Sequence, residues 1–150
     1  MSHVGEVLSI ALRGKDPREM REVHEAICAV DGVLEGDPAS SVDRGITLIS
    51  SRQWRQVICE LGVELPWWTR RANVLVDTDG LGGYIGQLLK IGDVEIQIAG
   101  ETKPCGLMDR LHPGLRSALL PDCRGGVHGR IVKGGVLRVG EAVELVRGQG

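Results

Sequence analysis

The stretch Val94–Arg110, VEIQIAGETKPCGLMDR, decides how the chain is read. Val94, Ile96 and Ile98 alternate with Glu95 and Gln97, the period of two that marks a half-buried strand. Gly100 ends the alternation, Pro104 fixes φ and removes a backbone donor, and Cys105 follows, with Gly106 and an apolar run behind it. The thiol is therefore expected on a stiff strand-to-helix junction. There Lys103 and the amides that open the Leu107–Leu111 segment would favour thiolate. Two readings of Cys105 stay open: a reactive thiol, and a buried cysteine used as a small apolar filler.

On either side the chain is punctuated by glycine. Gly92-Asp93 reads as a two-residue hairpin turn from a strand at Gln87–Ile91 into the strand at Val94–Ala99. The DGLGGYIG turn ahead of it does not form a dinucleotide fingerprint, because a strand follows it. Downstream, Gly106–Leu120 reads as two short helical turns broken at Pro113. Val127–Lys133, Val136–Val139 and Ala142–Val146 read as strands joined by hairpins at Gly134-Gly135 and Gly140-Glu141. Residues 148–150 are expected to fray.

The first half supplies the other elements. Val4–Leu12 reads as a strand. Asp16, Pro17 and Glu19 have the pattern of a helix start, and Met20, Val23, Ile27 and Val30 recur at helical spacing up to Gly32, which predicts a helix. His24 and Cys28 would lie one turn apart on it, as an ordinary flank in the absence of a third ligand. Gly32–Ser41, GVLEGDPASS, has turn chemistry throughout, suited to presenting amides to an anion or to a plain surface loop. Arg44–Ile49 reads as a strand, and Ser51 as the cap of a helix carrying Trp54, Val57, Ile58 and Leu61 on one face. Cys59 on that helix is expected to be structural. In LPWWTRRAN the tryptophans either stack on a flat heterocycle or fill the core. Arg70 and Arg71 lead into strand Val74–Val76, where they either grip a phosphate or face solvent.

The 150 residues suit one domain, and 22 Gly with no Phe point to short strands packed with Val, Ile and Leu. About eight short strands and flanking helices give a mainly β, α+β fold, a closed or partly open β-barrel that hides its edges. A net charge of −2 argues against sequence-independent nucleic-acid binding. The N-terminus lacks a signal-peptide pattern and no segment is long enough to span a membrane, so a cytoplasmic location is expected. In that compartment Cys28, Cys59, Cys105 and Cys123 are most simply free thiols, without zinc-site spacing.

Taken together, GVLEGD, RGITLIS, RRANVLVD, IGDVEIQIAGETKPC and RGGVHGRIVKGGVLRVGEAVEL, in that order over 32–145, resemble the MOSC domain. That module ends molybdenum cofactor sulfurases and also occurs as small free-standing bacterial proteins. The resemblance implies a barrel of the pyruvate-kinase-barrel type. It also implies one essential cysteine, falling on Cys105, that carries sulfur as a persulfide or ligates the molybdenum of a molybdopterin cofactor, with Pro104 as its rigid support. It places the family's Arg-x-Asn on Arg71 and Asn73 as pterin and phosphate contacts, and puts Asp43, Arg44 and Thr47 on the pocket lining. Arg124 matches the turn before Gly125 and Gly126. Cys123 stands where the family usually has glycine, as a second redox partner should the fold bring it near Cys105. Arg70 and Lys103 complete the candidate anion contacts.

Three functions follow. The first is a sulfur carrier or sulfurtransferase fed by a pyridoxal-phosphate-dependent cysteine desulfurase, since no lysine here has a pyridoxal-phosphate context. The second is a molybdenum-cofactor reductase of N-hydroxylated compounds, working with an electron-donor protein or another molybdoenzyme. The third is a non-catalytic anion- or cofactor-binding module.

Overall fold

A computed structural model describes residues 2–147, so the fraying expected at 148–150 lies outside the described residues. In chain order the strands and helices are β1 (Ser2–Arg13), β2 (Met20–Val23), β3 (Glu25–Cys28), β4 (Ile46–Ser50), α1 (Ser51–Leu61), β5 (Val74–Val76), β6 (Leu88–Ile91) and β7 (Val94–Glu101). They continue with α2 (Gly106–Leu111), α3 (Leu115–Leu119), β8 (Val127–Lys133), β9 (Gly135–Arg138) and β10 (Ala142–Val146). Seven strands close into a barrel in the order β10-β6-β7-β8-β4-β5-β1, with β1 pairing back to β10 and β2 added outside β1. β3 and β9 form a separate two-stranded ribbon. Closure leaves few free edges, the economical solution for short, glycine-punctuated strands.

The apolar residues sort into two cores. One fills the barrel: Ile10, Ile46, Leu48, Val74, Ile96, Ile98 and Val127 all point inward. The other lies outside the wall, where Ile49, Trp54, Val57, Trp67, Met108, Leu115 and Leu119 pack the helices against it. Trp67 is buried and Trp68 packs at its edge, so the tryptophan pair belongs to this outer core. Ser50 caps α1, one residue before the expected Ser51, and Gly62 ends it in the left-handed region.

The helix expected over residues 16–30 is not there. Asp16 does accept the amide of Arg18, at 2.8 Å, but only to close the turn that carries β1 into β2. The apolar spacing was misleading: Ile27 is 48% exposed and Val30 99%, whereas Ala26 and Cys28 point inward from β3. The chain at 133–141 also differs from two hairpins. β8 pairs with β7 and β4, β9 crosses to β3, and β10 closes the barrel between β1 and β6. Cys59, expected to be structural, is exposed on α1.

One glycine shows how tightly the wall is drawn beside the thiol-bearing turn. Gly126 has φ +89, and a Cβ there would lie 2.2 Å from the Leu48 carbonyl oxygen. Gly126→Ala is expected to lower stability by about 2–4 kcal/mol, from left-handed strain plus the clash, measured by equilibrium denaturation.

Candidate functional site

β7 leaves the barrel at Glu101 and the chain turns through Thr102, Lys103 and Pro104 to Cys105. Pro104 is buried, whereas Cys105 is exposed at the residue before α2, its carbonyl accepting the Met108 amide at 3.0 Å. α2 is only six residues long, so its dipole adds little, and the positive charges near the thiol belong to side chains. Those come from the segment between α1 and β5. A short turn at Trp67–Arg70 and a left-handed Arg71, φ 65, throw the two arginines in different directions.

Arg70 goes inward. It is 6% exposed, and its guanidinium donates to the carbonyls of Thr102 (2.8 Å) and Gly125 (3.0 Å), with the Met108 sulfur at 3.5 Å. Among the described residues no carboxylate pairs with it. Burial brings its pKa down to about 10, Arg44 and Arg13 push the same way, and Cys105 opposes them, so it remains a cation at neutral pH. Arg71 runs outward and donates to the Pro17 carbonyl, tying down the β1–β2 turn.

Both arginines border a cavity of about 340 Å³ that also meets Cys105, Lys103, Arg44 and Thr47. Among the described residues five basic side chains line it, Arg13 being the fifth, and no carboxylate does. Two polar atoms on its wall, Thr102 Oγ1 and Arg13 Nη2, are buried without a hydrogen-bond partner. A cavity of this size, positively lined and with unanswered donors, suits a phosphate-bearing ligand.

Three candidates from the sequence sit elsewhere. Asn73 is fully buried. Its side-chain oxygen accepts from the Thr47 amide and hydroxyl, and its NH₂ donates to the Ala11 carbonyl and to Asp37. It works inside the wall. Arg124 turns away to a bidentate pair with Glu60 at 2.8 and 3.0 Å, anchoring α1. Asp43 is an exposed loop residue and does not border the cavity. Cys123, in a left-handed conformation with φ 59, packs against Gly82 and donates to the Gly126 carbonyl, also away from the lining. Cys28 is buried and its thiol is pushed up to about 12, which makes it inert.

What sequence reasoning missed is Arg13, at the end of β1, and its partner Asp37 in the GVLEGDPASS loop. Asp37 accepts from the Arg13 amide (3.0 Å), from Arg13 Nε (3.0 and 3.2 Å), from the Ala39 amide (2.9 Å) and from Asn73 Nδ2 (2.8 Å). Burial alone would push its carboxyl up, but the Arg13 and Asn73 bonds outweigh that and hold it below the ordinary value. The only signal in the sequence was a basic residue closing an apolar strand, too common to single out.

The family model described as MOSC domain matches residues 31–144. The YuaD protein from Bacillus subtilis superposes with a TM-score of 0.79 at 19% identity, covering 99% of this chain and 98% of that one. YiiM from Escherichia coli gives 0.73 at 17%, covering 95% and 70%, and YiiM from Geobacillus stearothermophilus 0.70 at 15%, covering 97% and 75%. At such identities the likeness is one of fold. No curated protein matches the sequence.

A lowered carboxyl contributes stability above its ordinary range, which is lost as pH falls through the native value. The unfolding midpoint of the wild type is therefore expected to drop on acidification below about pH 4. Asp37→Asn should be less stable at neutral pH by about 2 kcal/mol or more and show a shallower acid slope, read by thermal melts from pH 7 to pH 2.

Proposed function

The chain belongs to the MOSC domain family, and from that premise we propose that it binds a molybdenum-pterin cofactor in the cationic cavity, with the Cys105 thiolate as the metal's protein ligand. Arg70 carries this reading. Burying a guanidinium with only carbonyls for company costs several kcal/mol unless an anion answers it, and the anion that can do so enters from the cavity. Among the described residues no three His, Cys, Asp or Glu gather to hold a metal ion. A metal bound here would arrive with its other ligands already in place, as it does in a pterin complex, and thiolate is the soft donor suited to it.

When bound, the cofactor supplies two-electron chemistry of the kind that removes oxygen from N-hydroxylated compounds. The chain's own residues do the rest. Arg44, Arg71 and Lys103 offer the ligand's phosphate fixed and mobile cations at the rim. Arg70, tied to both Thr102 and Gly125, holds the Pro104-Cys105 turn in place and puts a permanent positive charge beside the thiol. Electrons would come from a separate donor protein in the cytoplasm.

The exposure of Cys105 supports a second reading, sulfur carriage. Its thiolate would attack the outer sulfur of a desulfurase persulfide, forming Cys105–S–S and releasing the donor thiolate, with no net redox change. The two readings separate by analysis of protein purified from a cofactor-making host. Near-stoichiometric molybdenum and pterin in the wild type, lost in a folded Cys105→Ser, support cofactor binding. Metal-free and pterin-free wild type overturns it. One added sulfur after treatment with a cysteine desulfurase and cysteine, absent in Cys105→Ser, supports the carrier. Arg70→Met is expected to lower pterin content at least about tenfold.

A further inference from the structure

A second cavity, about 710 Å³, opens between the β1–β2 turn and the loop over residues 33–38. Leu12, Val33, Leu34 and Pro38 give it apolar walls, and Lys15, Arg21, Glu19 and Glu35 stand round them. We propose that this cavity binds a small apolar zwitterion of the dipeptide kind, with the ligand's carboxylate on Arg21 and its ammonium on Glu19. The site is separate from the chemistry of Cys105 and does not depend on the function proposed above.

Charge is balanced here, unlike in the cationic cavity. Arg13 and Asp37, which also line it, are spent on each other at 3.0 Å. That leaves two cations and two carboxylates, and among the described residues none of the four enters an ion pair. Opposite charges that line one cavity without meeting are answered together by a ligand that carries both signs. An anion alone would face Glu19 and Glu35, and a cation alone would face Lys15 and Arg21.

Two glycines leave room for the charges where they sit. At Gly14 a Cβ would lie 2.7 Å from Glu19 Oε2, so the missing side chain lets that carboxylate fold back over the β1–β2 turn. At Gly36, with φ +84, a Cβ would lie 3.6 Å from Arg21 Nη2 and 3.2 Å from Leu12 Cδ1. The guanidinium therefore reaches across to the loop, beside the apolar wall. Carboxylate and guanidinium stand over different stretches of backbone, one on the turn and one on the loop, which keeps them from neutralising each other. A guanidinium fork matches a carboxylate in shape. Both charges are exposed, so each contact adds little by itself, and the apolar walls supply the rest by taking the ligand's side chains out of water.

Calorimetric titration of the full chain with leucyl-phenylalanine, its N-acetyl derivative and its C-terminal amide tests this. Removing either ligand charge should weaken binding at least about threefold. Arg21→Gln should weaken the zwitterion and the N-acetyl derivative by a similar factor and leave the amide unweakened. Glu19→Gln should do the reverse, weakening the zwitterion and the amide only. Both side chains are exposed, so neither change threatens the fold. Val33→Trp, which fills the cavity, should weaken all three probes. Equal affinity for the three probes, no binding of the zwitterion, zwitterion affinity indifferent to both charge substitutions, or undiminished affinity in Val33→Trp overturns the proposal. The titrations need no cofactor, so their failure leaves the reading of the Cys105 site standing.

Discussion

Arg70 clamps two pieces of chain at the point where they leave and rejoin the barrel wall. Its guanidinium bridges the Thr102 carbonyl, just past β7, and the Gly125 carbonyl, just before β8. β7 and β8 pair along most of their length, but the chain between them leaves the wall to make α2 and α3 and return. Where it leaves and where it returns, the last backbone link is the Thr102 amide donating to the Gly126 carbonyl at 2.8 Å. Arg70 adds two side-chain bonds beside it, and so braces the turn that presents Cys105. Structure and charge are served by the same atoms: the carbonyls satisfy the donors but not the cation, and the unbalanced charge faces the thiol.

The barrel makes this placement possible by being full. Its interior is packed with apolar side chains, from Ile10 to Val127. The cationic cavity lies outside the wall, bordered by β4, the Trp67–Arg70 turn and α2. A hydrogen-bonded chain runs through the wall itself, Thr47 to Asn73 to Asp37 to Arg13, each group buried or nearly so. Within this network Arg13 Nη2 is buried without a hydrogen-bond partner.

Local chemistry was legible in the sequence where it alone decides structure. The alternation of Val94 to Ile98, the Gly92-Asp93 turn, the stripe of α1 and the break at Pro113 all lie within a few residues of what they specify. Residues 16–30 were misread because four apolar side chains fell at helical spacing by accident, two of them facing solvent; strand pairing with β1 and β9 decided the matter from far along the chain. The site divides the same way. Cys105, Lys103, Arg70 and Arg71 stood out from their neighbours, whereas Arg13 and Asp37 gain meaning only from each other, 24 residues apart.

The barrel wall has an odd number of staves. Around a ring of seven, direction cannot alternate at every step, so at least one neighbouring pair must run the same way, and here that pair is β4 with β5. Two strands running the same way cannot be joined by a tight turn; the chain has to travel back outside the wall before it can start again. That return path is residues 51–73, and it carries α1, Arg70, Arg71 and Asn73. Parity thus obliges the chain to lay a long arm across the outer surface, and the arm is where the cationic half of the site was built.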